Sequence, residues 1–172
     1  TQYLPEDDRH TYSKTYLESA LAVLFGGRAA EELVFSSLTT GAGNDIERAT
    51  DMARRMVCEW GMSEEFGPMA LGRKNDEVFL GRDMAHVKDY SEDTARRVDM
   101  EVKRILSEAY DTAMTILRDN IELLHSLSSA LIDRETLTGE EVDRIIRGET
   151  LPPQTPEKAQ PPAQEEVSEE SF

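Results

Sequence analysis

Residues 91–120, SEDTARRVDMEVKRILSEAYDTAMTILRDN, decide the fold. Ala95, Val98, Val102, Ile105, Leu106, Ala109, Ala113, Ile116 and Leu117 recur at intervals of three and four, and charged residues fill the positions between them. That spacing puts every apolar side chain on one stripe of a long amphipathic helix. No strand alternation competes with it. The predicted architecture is mainly α, a multi-helix bundle built around this element.

The pattern extends in both directions. Downstream, Ile121, Leu124, Leu127, Leu131 and Ile132 predict a further helix, and Thr138-Gly139-Glu140-Glu141 reads as a capping box opening a short last one. Upstream, Tyr16, Leu17, Ala20, Leu21, Leu24 and Phe25 predict a helix over 13–35 with Ser13 as N-cap. Gly26-Gly27 interrupts it, as a kink or as a place where a neighbour approaches closely, before Ala29, Ala30, Leu33 and Val34 resume the pattern. A helix over about 44–60 carries Ile46, Ala49, Ala53, Met56, Val57 and Trp60 on one face. Asn44 and Glu47 are spaced as a capping-box variant, Trp60 reads as a core anchor, and Gly61 stands where a left-handed cap belongs. Between 62 and 90, Gly67-Pro68, Gly72, Asn75-Asp76 and Gly81 punctuate two short apolar pieces, which fits an irregular loop or a β-hairpin.

Composition bounds the function. The chain has 172 residues, and 19 basic against 35 acidic side chains give a net charge of −16. A surface that acidic repels nucleic acid and anionic headgroups. The mean hydropathy is −0.54. The longest purely apolar run, Ala20 to Phe25, is far short of the ~20 residues a membrane span needs. One cysteine, Cys58, allows no intrachain disulfide and no cysteine-rich zinc site. Five of the seven prolines lie beyond Thr150, among Glu157, Glu165, Glu166, Glu169 and Glu170. Such a segment buries too little to offset its ordering entropy, so 1–150 is expected to be the structured portion and 151–172 a disordered acidic tail.

Local motifs give little chemistry. His10, His86 and His125 have no histidine partner four residues away, so no helical zinc pair is present. No nucleophile elbow occurs. The stretch Thr39-Thr40-Gly41-Ala42-Gly43-Asn44-Asp45 enters a helix, but Ile46 occupies the place of a third glycine and no Gly-Lys-Ser/Thr follows, so a phosphate cradle is disfavoured. A carboxylate at such a helix start either ligates a cation held by other residues or simply complements the helix dipole. Arg28 is expected to pair with Glu31 or Glu32, and Asp51 with Arg54 or Arg55.

Taken together, several stretches carry a resemblance. They are Leu4-Pro5-Glu6-Asp7-Asp8-Arg9, Gly26-Gly27-Arg28-Ala29-Ala30-Glu31-Glu32, Thr39 through Thr50 (TTGAGNDIERAT), Met56-Val57-Cys58-Glu59-Trp60-Gly61-Met62-Ser63, Phe79-Leu80-Gly81-Arg82 and Tyr90-Ser91-Glu92. Over about residues 1–146 the chain resembles the peptidase domain of the FtsH-type, membrane-anchored ATP-dependent zinc metalloproteases (peptidase family M41). In that family two histidines of an H-E-x-x-H helix and one aspartate bind zinc, and the motif glutamate is the general base. The resemblance implies that Asp45 is the third zinc ligand and that no catalytic residue lies in this stretch.

It further implies that the H-E-x-x-H helix precedes residue 1, and that ATP and magnesium act only through an ATPase module (AAA+) outside it. The implied whole is a homo-hexamer at the cytoplasmic face of the membrane that degrades unfolded and membrane proteins. This chain would then supply one ligand and a helical assembly scaffold, and would be inactive alone. The alternative expectation is a free-standing, non-catalytic helical assembly module derived from that domain.

Overall fold

The computed structural model describes residues 11–71 and 90–152. Among them are five helices: α1 (Lys14–Phe35), α2 (Gly43–Cys58), α3 (Glu92–Asp119), α4 (Ile121–Arg134) and α5 (Gly139–Ile146). The protein is mainly helical, as the periodicity requires. The expected tail begins at Leu151 and, apart from Leu151 and Pro152, lies outside the described residues. Of the expected loop or hairpin, 62–71 is a turn-rich segment without a strand, and 72–89 lies outside them.

The chain divides into two compact units, one ending at Ile121 and the other starting at Glu122. In the first, α1, α2 and α3 pack pairwise on one another. Leu17, Leu21, Phe25 and Ala29 come from α1, Ala49, Ala53, Met56 and Val57 from α2, and Val98, Val102, Ile105, Ala109 and Ala113 from α3. Alanines at 29, 49, 53, 109 and 113 keep the contact surfaces thin, so the helix axes approach closely. Leu21, Met56, Val57 and Val98 are the largest fully buried side chains. Each is worth roughly 1.5–3 kcal/mol relative to exposure.

The helix ends follow local chemistry at most positions. The Ser13 hydroxyl accepts from the Tyr16 N–H at 3.2 Å, and the Ser91 hydroxyl from the Thr94 N–H at 3.2 Å. In the second unit Thr138 and Glu141 form a reciprocal capping box at the start of α5. There Arg134 of α4 also pairs with Glu141 at 2.7 Å.

Three expectations fail in this region. Gly26-Gly27 does not interrupt α1, which runs as one helix through both, and no described atom lies within 4 Å of a Cβ built on either glycine. Asn44 does not cap α2; the helix starts at Gly43, and Ala42 at the cap position makes no side-chain bond. Trp60 is 36% exposed, and its ring faces the Arg55 guanidinium at 4.7 Å instead of entering the core. The cause is where the helix stops: α2 ends at Cys58 with Glu59 as its C-cap, so the helical periodicity no longer aims the side chain at Trp60 inward.

One buried charge fastens the segment after α2. Glu101 of α3 is 6% exposed; it accepts from the Ser63 hydroxyl at 2.9 Å and from Arg104 at 2.8 and 2.9 Å. Ser63 in turn accepts the Glu65 and Phe66 N–H groups. Arg104 also reaches both Glu108 oxygens at 2.7 Å. The Arg104 hydrogen bonds, helped by Ser63, outweigh burial and hold the Glu101 carboxyl below its ordinary value of 4.5.

A lowered carboxyl pKa stabilises the folded state fully above that ordinary value, and the contribution is lost as pH falls through the folded pKa. Glu101→Gln should therefore cost about 1.5–3 kcal/mol at neutral pH. In urea unfolding the gap from the unmodified chain should narrow steadily as pH drops below 4.5. A gap that stays constant with pH would refute the assignment.

Candidate functional site

Asp45 lies in the first turn of α2, one turn from the Ala42 cap position. Its side chain is 46% exposed, and the nearest cation among the described residues is Arg48 at 3.9 Å, one turn along the helix. The carboxylate therefore projects from the positive end of a helix with a loose, partly solvated partner. Both readings of the sequence are physically open to it, as dipole complement and as oxygen ligand.

The loop that delivers Asp45 is held from α1. Both oxygens of Glu31 accept from Thr39, its hydroxyl at 2.6 Å and its backbone N–H at 3.2 Å. Arg28, one turn before Glu31 and 3.6 Å from it, donates to the Thr39 carbonyl at 2.9 Å. The Thr39 bonds lead the causes that keep the Glu31 carboxyl below its usual range, with Arg28 adding to them. The expected Arg28–Glu31 pair is present, whereas Glu32 instead accepts from Tyr110 of α3. Burial first, then that Glu32 contact, pushes the Tyr110 phenol up to about 12.

Other candidates are placed as follows. Arg54 meets Asp99 across the α2–α3 contact at 3.5 Å, and Arg55 meets Glu59, in place of the anticipated pairs with Asp51. Cys58 is half-buried, and burial pushes its thiol up, away from thiolate reactivity. His125 sits on α4, while His10 and His86 lie outside the described residues. The Glu31–Thr39 and Ser63–Glu101 bonds were not anticipated; residues 8 and 38 apart leave no periodic trace in a sequence.

A catalytic zinc takes three protein ligands, and no group of three His, Cys, Asp or Glu capable of holding a metal occurs among the described residues. No helix among them is long and apolar enough to cross a membrane.

The profile described as "Peptidase family M41" covers residues 1–145, and the chain belongs to that family. It is 51% identical over 91% of its length to the ATP-dependent zinc metalloprotease FtsH of Acidobacterium capsulatum. It is 52% identical over 87% to the protein of the same name from Magnetococcus marinus, and 53% over 85% to that of Acidimicrobium ferrooxidans. The chain spans 24%, 22% and 22% of those relatives, under a quarter of each.

Proposed function

We propose that this chain is part of an ATP-dependent zinc metalloendopeptidase that degrades unfolded and membrane proteins. Within it, Asp45 is the third zinc ligand, and residues 1–150 are a portion of the peptidase domain. The observation that carries the reading is the position of Asp45: an oxygen donor in the first turn of α2, half exposed and only loosely paired, inside the segment that matches the family. Zinc supplies Lewis acidity for peptide hydrolysis when bound. Asp45 contributes a fixed negative oxygen, and α1 and α3 hold the helix beneath it. The other ligands, the general base, and the ATP and magnesium sites belong to parts of the longer protein outside the described residues. That protein is a membrane-anchored homo-hexamer with this domain on the cytoplasmic side, and the chain by itself is inactive.

Asp45→Ala in the full-length protein tests the reading. Zinc should fall from about one per subunit toward none, because three protein ligands are needed. With both proteins stripped of metal, melting should change little, since the side chain is about half exposed and makes one loose ion pair. Full zinc content in the variant would defeat the ligand assignment. Chelator-sensitive cleavage of an unfolded protein by the isolated chain would defeat its inactivity.

A further inference from the structure

We infer that residues 63–67 form a strap that lifts off Glu101 while the core of α1, α2 and α3 stays folded. The backbone gives the first reason. Below the strap, the segment is tied to the end of α2: the Met62 N–H donates to the Met56 carbonyl at 3.0 Å and the Leu71 N–H to the Cys58 carbonyl at 2.8 Å. The strap itself closes on Ser63. The Gly67 N–H donates to the Ser63 carbonyl at 3.0 Å, and the Glu65 and Phe66 N–H groups donate to the Ser63 hydroxyl at 3.1 and 3.3 Å. Among the described residues, no backbone hydrogen bond ties 63–67 to α1 or α3.

Side chains alone therefore dock the strap on those two helices. Ser63 donates to Glu101 of α3 at 2.9 Å, Glu64 accepts from Lys14 of α1 at 3.1 Å, and Glu65 accepts from Arg97 of α3 at 3.0 Å. Phe66, the one apolar side chain of the five, packs on the core with the Arg97 guanidinium 5.3 Å from its ring. The Glu64 and Glu65 pairs are exposed to solvent, and pairs of that kind contribute little. The Ser63–Glu101 bond is buried and made to a charge, so it is the latch.

The latch works against a cost. Docking takes water from the Glu101 carboxylate, and that desolvation opposes the bond that secures it. Arg104 sits on the same helix as Glu101 and stays with it when the strap lifts. Release thus returns water to a charge that remains paired. Few apolar contacts and mostly exposed polar ones are the marks of a unit that opens ahead of the core.

The test is amide hydrogen exchange in the full-length protein, followed at Glu65, Phe66 and Gly67 and at buried positions of α2 and α3. A free turn of five residues does not hold its bonds in water, so exchange at these three amides reports release. They should exchange with a much weaker dependence on added urea than the core amides, because little surface is exposed when the strap lifts. Glu101→Ala removes the acceptor of the latch and leaves the Ser63 turn intact, and should speed their exchange about 10–100-fold. Phe25→Leu loosens the core away from the strap. It should speed the core amides about tenfold and leave the strap amides unchanged.

Strap amides that accelerate together with the core in Phe25→Leu would overturn the inference, because they would then open only with the whole unit. So would unchanged strap exchange in Glu101→Ala. If that variant failed to fold, the Phe25→Leu comparison would still decide.

Discussion

Val102→Asp should abolish the folded state. Val102 is 4% exposed and belongs to the cluster in which α3 meets α1 and α2. Removing the valine forfeits about 1.5–3 kcal/mol of burial. The larger effect is the carboxylate, which has to stay charged without a partner, at several kcal/mol, or take up a proton at a cost that grows with pH. Together these rival the whole stability of an ordinary domain, about 5–15 kcal/mol. The variant should show no cooperative melt by circular dichroism and should elute as aggregate. Val102→Ala should melt cooperatively at a lower temperature. A Val102→Asp chain melting within a few degrees of the parent would show that α3 does not hold the core.

Gly61→Val should be nearly as damaging by a different route. Gly61 has φ +59°, a region that β-branched residues essentially avoid. A Cβ there would lie 3.0 Å from the Pro68 Cα and 3.2 Å from both the Pro68 carbonyl carbon and the Met69 nitrogen. All three are backbone atoms that no rotamer change can move. The surrounding turn is also fixed by hydrogen bonds from Met62 N–H to the Met56 carbonyl and from Leu71 N–H to the Cys58 carbonyl.

Left-handed backbone alone costs about 1–2 kcal/mol, and the collision should bring the total to about 3 kcal/mol or more. Gly67 provides the comparison, with φ +67° but no described atom within 4 Å of a Cβ. Gly67→Val should incur only the backbone cost. Equal losses in urea unfolding would show that the Pro68 contact is immaterial.

These two positions mark what a sequence discloses. The α3 stripe was legible because helical burial repeats every three to four residues, and Val98, Val102, Ile105, Ala109 and Ala113 are indeed buried. Ser13 and Thr138 were legible as caps because a cap bonds to a backbone group three residues away. The start of α2 was misread because its loop is held by Glu31 and Arg28, outside any local window. Arg54 was misassigned for a similar reason, as Asp99 across the helix contact takes the place of Asp51 on its own helix. Asp45 was visible as a carboxylate at a helix start, but no local pattern separates a metal ligand from a dipole complement. Only the likeness of the longer stretch to a known family raises the first over the second.

The Tyr110–Glu32 contact joins residues 78 positions apart, and α3 supplies one wall of the core whose other walls come from α1 and α2. The α1–α2 pair can meet early, across the short connection from Ser36 to Ala42. It gains a closed core only after α3, which begins at Glu92 while α2 ends at Cys58, has been brought in, an entropic cost that grows slowly with chain separation but precedes any reward. On a translating ribosome, then, the α1–α2 pair can complete this core only once α3 has emerged.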